Sequence, residues 1–140
     1  MTQSRHTFKK AERLCSKKHI ETLFAGDNRS LTAYPLRAVY TETEPPHHTT
    51  SSPHHFITSS LLISVSKRHF KHAVDRNRVK RLIREAYRLN KGLLLDYLPE
   101  GRHLDLAFIW MSDELSDFPT IESKVKSLLQ RIVEQEKESI

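Results

Sequence analysis

The run from Lys67 to Lys91, KRHFKHAVDRNRVKRLIREAYRLNK, constrains this chain more than any other stretch of it. It holds ten Lys or Arg against only Asp75 and Glu85, a net of +8 in a chain that totals +6, so everything outside it sums to −2. At roughly 100° per residue, Val79, Leu82, Ile83, Ala86 and Leu89 gather on one stripe of a helix. Such a stripe has to dock on a core. Asn77, Lys80, Arg81, Arg84 and Arg88 fall on the opposite side. A helix face that merely meets water usually mixes signs, because acid and base four residues apart support each other; this face has almost no acids. Its cations span about 16 Å, a spacing at which guanidinium forks meet successive phosphates of a polyanion.

The rest of the chain has to supply the core. At 140 residues it supports one domain with a single core and is too short for two. No apolar run approaches the length of a membrane span, and the residues after Phe8 are polar and basic, which offers nothing for a secretory signal. A lone Cys15 cannot close an internal disulfide and fits a reducing compartment, so a cytoplasmic protein is expected, with no membrane partner. A pI near 9.6, with the excess charge concentrated in one stretch, favours nucleic acid as the partner.

Taken in order, residues 1–16 form a basic arm. Ser16 can cap a short helix from Lys17 to Ala25, with Ile20, Leu23 and Phe24 at helical spacing and Gly26-Asp27-Asn28 as its stop. Leu31 to Tyr40 reads as a strand that Pro35 confines to an edge or a bulge, with Tyr34 and Leu36 sharing a face. Residues 41–55, rich in Pro, Ser, Thr and His, cannot build a core and are expected to be a flexible loop; neighbouring histidines on such a loop lack the fixed geometry of a metal site. Phe56 to Ser66 alternates as a strand, and Leu62 on its second face suggests a central one. Lys67 to His72 form a basic connection, and Asp75 is the expected cap of a helix that starts at Arg76 and stops at Asn90-Lys91-Gly92.

Beyond it, Leu93 to Leu98 can form a short turn or helix. Leu104 to Met111 carries apolar residues on both faces and reads as a buried strand. Asp117 caps a last helix, with Pro119 in its first turn and Ile121, Val125, Leu128, Leu129 and Ile132 as its stripe, ending in a frayed tail over 134–140. The order αββ(β)α(α)βα predicts an α+β fold, a two-layer sandwich with a small sheet.

No protein-borne active site is legible. The acids are scattered, with no pairing that would hold two divalent ions about 4 Å apart for phosphodiester cleavage. Three glycines rule out the common phosphate-cradling loops, and no Cys/His spacing suits a metal. The catalytic and metal sets are therefore expected to be empty, and a chain acting on RNA would act by binding it. A DNA-binding module would need a dimer or a second short helix packed against the basic one, neither of which the strand-rich context suggests, so no DNA partner is expected. A ribosomal or other structural RNA-binding protein shares every electrostatic feature and stays open on these grounds.

Ser64-Val65-Ser66-Lys67-Arg68, followed after a short loop by Ala73-Val74-Asp75-Arg76-Asn77-Arg78-Val79-Lys80-Arg81-Leu82-Ile83-Arg84-Glu85-Ala86-Tyr87, resembles the signature of the bacterial ribonuclease P protein subunit, an Arg-Asn-Arg followed by a basic helix. The resemblance is dense over Leu62 to Tyr87 and thinner elsewhere. It implies a mixed sheet with a left-handed crossover through the basic helix, as in a ribosomal protein domain, against the usual preference. It implies that the chain assists removal of the 5′ leader of precursor tRNA while the partner RNA, with the magnesium it holds, carries the chemistry. Lys67, Arg68, Lys71, Arg76, Asn77, Arg78, Lys80, Arg81, Arg84 and Arg88 would then bind RNA, although Arg78 falls on the edge of the wheel away from the basic stripe, where orienting the helix against its neighbours is its alternative role. Ile20, Phe24 and Tyr34 would line a leader cleft between the first helix and the sheet, with stacking kept at Phe24 and in question at aliphatic Ile20. Each of the three has a core role as its plain alternative.

Overall fold

The computed structural model describes residues 20–21, 23–24, 28–43, 59–96 and 103–138. The basic arm, residues 44–55 of the expected loop, Cys15 and Leu98 lie outside them. Four strands, β1 (Arg29–Ala33), β2 (Leu36–Thr43), β3 (Ser59–Val65) and β4 (His103–Trp110), form one sheet in the order β1-β2-β4-β3. Both β1–β2 and β2–β4 are antiparallel and β3–β4 is parallel, which gives the mixed sheet expected. The parallel pair is joined through α1 (Ala73–Asn90) and the single turn α2 (Gly92–Leu95), and α3 (Phe118–Glu138) follows β4.

Strand alternation sorts the side chains onto two faces. Leu36, Ala38 and Tyr40 of β2, Leu61 and Val65 of β3, and Leu104, Leu106, Phe108 and Trp110 of β4 face the helices. They pack against Val79, Ile83, Ala86 and Tyr87 of α1 and against Ile121, Val125, Leu128, Leu129 and Ile132 of α3. The Tyr87 and Phe108 rings meet edge to face, with centroids 6.2 Å apart. On the other face Val39 and Ala107 are covered by Leu23, with Ile20, Leu62 and Ile109 around them. Ile20 and Leu23 thus lie on the sheet face that α1 and α3 leave open.

Several sequence expectations change. The single strand over Leu31–Tyr40 is two strands of a hairpin, turned at a cis Tyr34-Pro35 peptide, which supplies the optional third strand before the basic helix. Tyr34 therefore does not share a face with buried Leu36 but stands 63% exposed in the turn. β2 runs on to Thr43, into the segment expected as loop. β3 is an edge strand of the described sheet: its second apolar face comes from the cover that Ile20 and Leu23 provide, not from strands on both sides. α1 begins at Ala73, with His72 rather than Asp75 at its N-cap and no side-chain cap; Asp75 instead sits in the first turn, where a carboxylate suits the helix dipole. Tyr87, not Leu89, completes its buried stripe, and Leu89 is 39% exposed.

α3 is capped by Asp117, whose Oδ1 accepts the Thr120 N–H at 3.1 Å. Hydrogen bonds from Thr120, its side chain above all, hold the Asp117 carboxyl below the usual range. The helix continues to Glu138 instead of fraying from Glu134. The cause is tertiary: Glu136 is buried and pairs with Arg29 at 3.3 Å, and Gln135 accepts the Tyr40 hydroxyl. Burial pushes the Tyr40 phenol above its ordinary pKa. Among the described residues, no helix is long and apolar enough to cross a membrane.

Candidate nucleic-acid interface

The register places three connections at one end of the sheet. Leu36 pairs with Trp110 and Val65 with the same Trp110, so the Tyr34-Pro35 turn, the loop 66–72 and the loop 111–117 all start there. The loop 66–72 is built by its own backbone. The Ser66 carbonyl accepts from the amides of His69 at 3.1 Å and Phe70 at 3.3 Å, and Ser66 Oγ accepts the Arg68 N–H at 3.0 Å, a serine turn. Phe70 is buried and anchors the loop in the core, while Lys67, Arg68 and Lys71 stay exposed. His69 Nδ1 lies 2.7 Å from Asp113 Oδ1, which ties this loop to the one after β4.

On α1 the stripe that faces the core fixes what faces away. Asn77, Arg78 and Arg81 are exposed, and Lys80, Arg84 and Arg88 are half-exposed. Arg78, Lys80, Arg81 and Arg84 make no ion pair with a described residue, so their guanidinium and ammonium groups are available to an external anion. Two other cations are engaged within the fold. Arg88 forms a two-pronged pair with Glu85, Nη2 to Oε2 at 2.6 Å and Nε to Oε1 at 2.9 Å, and that contact holds the Glu85 carboxyl below its ordinary pKa. Arg76 turns back to the loop, its Nη1 donating to the carbonyls of Phe70 at 2.8 Å and Lys71 at 3.0 Å. Lys91 counts in the charge of the run but is buried at the helix end.

The residues expected at the cleft are carried by two elements. Ile20 and Phe24 stack one turn apart, with the Phe24 amide on the Ile20 carbonyl at 3.3 Å, on the face of the sheet away from α1. Ile20 is half-buried against Val39 and Ala107, and Phe24 presents a ring that is 46% exposed. Tyr34 is exposed in the turn between β1 and β2, at the sheet end. Sequence reading missed Arg37, exposed on the Val39 face with its Nε on Ser30 Oγ at 2.8 Å. Its position between Leu36 and Ala38 was the available signal, since alternation aims it away from the helices. Also unforeseen is a buried polar group on that face: His103 Nε2 lies 3.0 Å from Ser60 Oγ and 3.2 Å from Asp105 Oδ1. One ring nitrogen serves both partners, so the three do not form a nucleophile-base-orienter chain, which needs opposite nitrogens. Among the described residues, no three His, Cys, Asp or Glu side chains converge as a metal-ligand group.

A sequence model of the family described as Ribonuclease P matches residues 8–133. A ribonuclease P protein component from Porphyromonas gingivalis is 47% identical over 124 residues, spanning 88% of this chain and 84% of that protein. Another from Chlorobium phaeobacteroides is 44% identical over 68 residues, 44% of this chain and 46% of that protein. Among solved structures, the RNase P protein from Thermotoga maritima matches with a TM-score of 0.62 at 26% identity, over 86% of this chain and 96% of that one. The Staphylococcus aureus RNase P protein matches with a TM-score of 0.63 at 19% identity, over 88% and 96%, and supports the fold alone.

Proposed function

The chain belongs to the bacterial ribonuclease P protein family, and from that premise we propose that it binds the enzyme's catalytic RNA along the Asn77–Arg84 face and the 5′ leader of precursor tRNA on the other side of the sheet. It is a protein component of the ribonuclease that processes tRNA 5′ ends, which disfavours the alternative of a ribosomal or other structural RNA-binding protein. The observation that carries the finer reading is that Lys80, Arg81 and Arg84 on one helix face, with Arg78 at its edge, make no ion pair with a described residue, next to a loop that exposes Lys67, Arg68 and Lys71. Cations without a partner among the described residues, along about 9 Å of helix, neutralise successive phosphates and release their counterions.

Hydrolysis in this reading belongs to the RNA and the magnesium it holds, with no catalytic residue on the protein. The protein's part is electrostatic and positional. By screening crowded phosphates it strengthens divalent-ion binding to the RNA, and through Phe24, one helical turn from Ile20 and with Arg37 on the same sheet face, it favours substrate that still carries a leader. It would work in the cytoplasm. The test is cleavage of a precursor tRNA at low magnesium by the protein alone, by a bacterial ribonuclease P RNA alone and by the two together. Cleavage at the mature 5′ end by the mixture only is expected; cleavage by the protein alone would place chemistry on the chain. For the leader role, Phe24→Ala should weaken binding of leader-bearing substrate by about fivefold, the value of one base-aromatic stack, and spare leaderless tRNA. Equal losses on both would reject it.

A further inference from the structure

We infer that Arg76 is a positioning residue, one that shapes the cation-bearing loop 66–72 and does not itself contact phosphate. The inference rests on the RNA-binding reading above and assigns a different task to one member of the basic run. Both hydrogens of its Nη1 are taken by the carbonyls of Phe70 and Lys71, at 2.8 and 3.0 Å. The end-on fork of that guanidinium is therefore occupied and its plane is fixed on the loop, leaving only the Nε and Nη2 edge open, whereas Arg81 and Arg84 make no ion pair with a described residue. On the helix wheel Arg76 lies about 100° from Asn77 and about 140° from Arg81, at the margin of the basic face beside Lys80, and its side chain turns toward the loop.

The loop is held at three points, each of a different kind. Phe70 is buried in the core, Ser66 closes the turn with its carbonyl and hydroxyl, and Arg76 gathers the two carbonyls that precede the helix. Between these points Lys67, Arg68 and Lys71 are exposed. A loop already ordered before RNA arrives does not have to lose its backbone freedom on binding, so its cations act at fixed positions relative to α1. Without Arg76, the charge of the loop remains but its placement does not.

Contact and positioning differ in salt dependence, because only a lost phosphate contact changes the number of counterions released. The experiment measures binding of the whole chain to a bacterial ribonuclease P RNA transcript over a series of KCl concentrations, for wild type, Arg76→Ala, Arg76→Lys, Arg68→Ala and the double variant Arg68→Ala/Arg76→Ala. Arg76→Ala should weaken binding about fivefold, the scale of reordering one loop residue, and keep the wild-type slope of log K against log salt. Arg76→Lys should fare no better, since an ammonium cannot reproduce the planar fork on two carbonyls. Arg68→Ala should flatten the slope by about 0.7 to 0.9 and should cost less in the Arg76→Ala background than in wild type.

Thermal melts set the folded fraction of each variant, and affinities are taken on that fraction, so a general loss of stability cannot imitate the coupling between Arg76 and Arg68. Three results would overturn the inference: a slope that flattens in Arg76→Ala with Lys restoring the affinity, additive effects of the two alanines, or unchanged binding in both Arg76 variants. A wild-type chain that does not bind the RNA would overturn the RNA-binding reading together with it.

Discussion

α1 and α3 lie on the same face of one sheet and bury apolar stripes of similar make, yet they dispose of their polar groups in opposite ways. On α3 these groups are drawn into the fold: Glu122 accepts the Asn90 amide at 3.0 Å, Arg131 donates to the Thr32 carbonyl at 2.7 Å, Gln135 meets the Tyr40 hydroxyl, and Glu136 pairs with Arg29. On α1 the side chains of the cations at 78, 80, 81 and 84 make no ion pair with a described residue. Amphipathic pattern alone does not separate a structural helix from a binding one. What separates them is whether the polar face is answered from within.

The two helices differ outside but share their base, and the sharpest way to break the comparison is to remove that base. Phe108 is fully buried and meets Tyr87 of α1 from the central strand β4. Phe108→Ala should destabilise the fold by about 3–5 kcal/mol, through lost transfer energy and the cavity left behind. In urea, helical circular dichroism and the fluorescence of Trp110 should still fall together, as in a single cooperative unit. Transitions that separate would mean that the helices do not depend on one core.

The next effect belongs to the outer faces. Arg81→Ala should weaken binding to a ribonuclease P RNA by about tenfold and flatten the salt slope by about 0.9, the signature of one lost phosphate contact. Lys126→Ala removes the same charge from the exposed face of α3 and should leave both affinity and slope in place. Equal effects at the two positions would show that net charge alone attracts the RNA, and would dissolve the distinction between the helices.

The apolar side of this comparison was readable in the sequence, and much of the polar side was not. Val79, Ile83 and Ala86 on α1, and all five stripe residues of α3, follow from helical period, as the two faces of β4 follow from strand period. The errors have local causes. Pro35 signalled an interruption, but whether a proline bends a strand or turns it back depends on its pairing with β2, which is a long-range fact. The second apolar face of β3 was legible, while the identity of its cover was not. The fraying expected of the acidic tail assumed no partners, and Arg29 and Tyr40 lie about a hundred positions earlier in the chain. In the candidate site, charge run and wheel located the face, but Arg76 and Arg88 look like their neighbours in sequence and are set apart only by the carbonyls of Phe70 and Lys71 and the carboxyl of Glu85.

A smaller effect tests whether α3's polar contacts serve the fold alone. Tyr40→Phe deletes the hydroxyl that reaches Gln135 and keeps the buried ring. The cost should be about 1 kcal/mol in unfolding free energy, the usual net value of one hydrogen bond, with RNA affinity and salt slope unchanged. A change in RNA binding would mean that the end of α3 belongs to the interface as well.

The smallest effect lies on α1 itself, where Glu85 is the one acid among the exposed cations of its later turns. Its contact with Arg88, a hydrogen bond first and a Coulombic attraction second, lowers its folded-state pKa. A carboxyl lowered in this way contributes stability above its unfolded pKa, and that contribution is lost as pH falls through the folded value. Both side chains are well exposed, so solvent screening keeps the contribution small. Glu85→Gln should therefore lower the melting temperature slightly at neutral pH and not at all once Glu85 is protonated. The same change releases Arg88 toward the face that holds Arg81 and Arg84, and binding to the RNA should tighten by about twofold with a slightly steeper salt slope. Weaker binding in Glu85→Gln would mean that the pair orients Arg88 for RNA rather than withholding it, and would move Arg88 from the answered to the unanswered side of the helix.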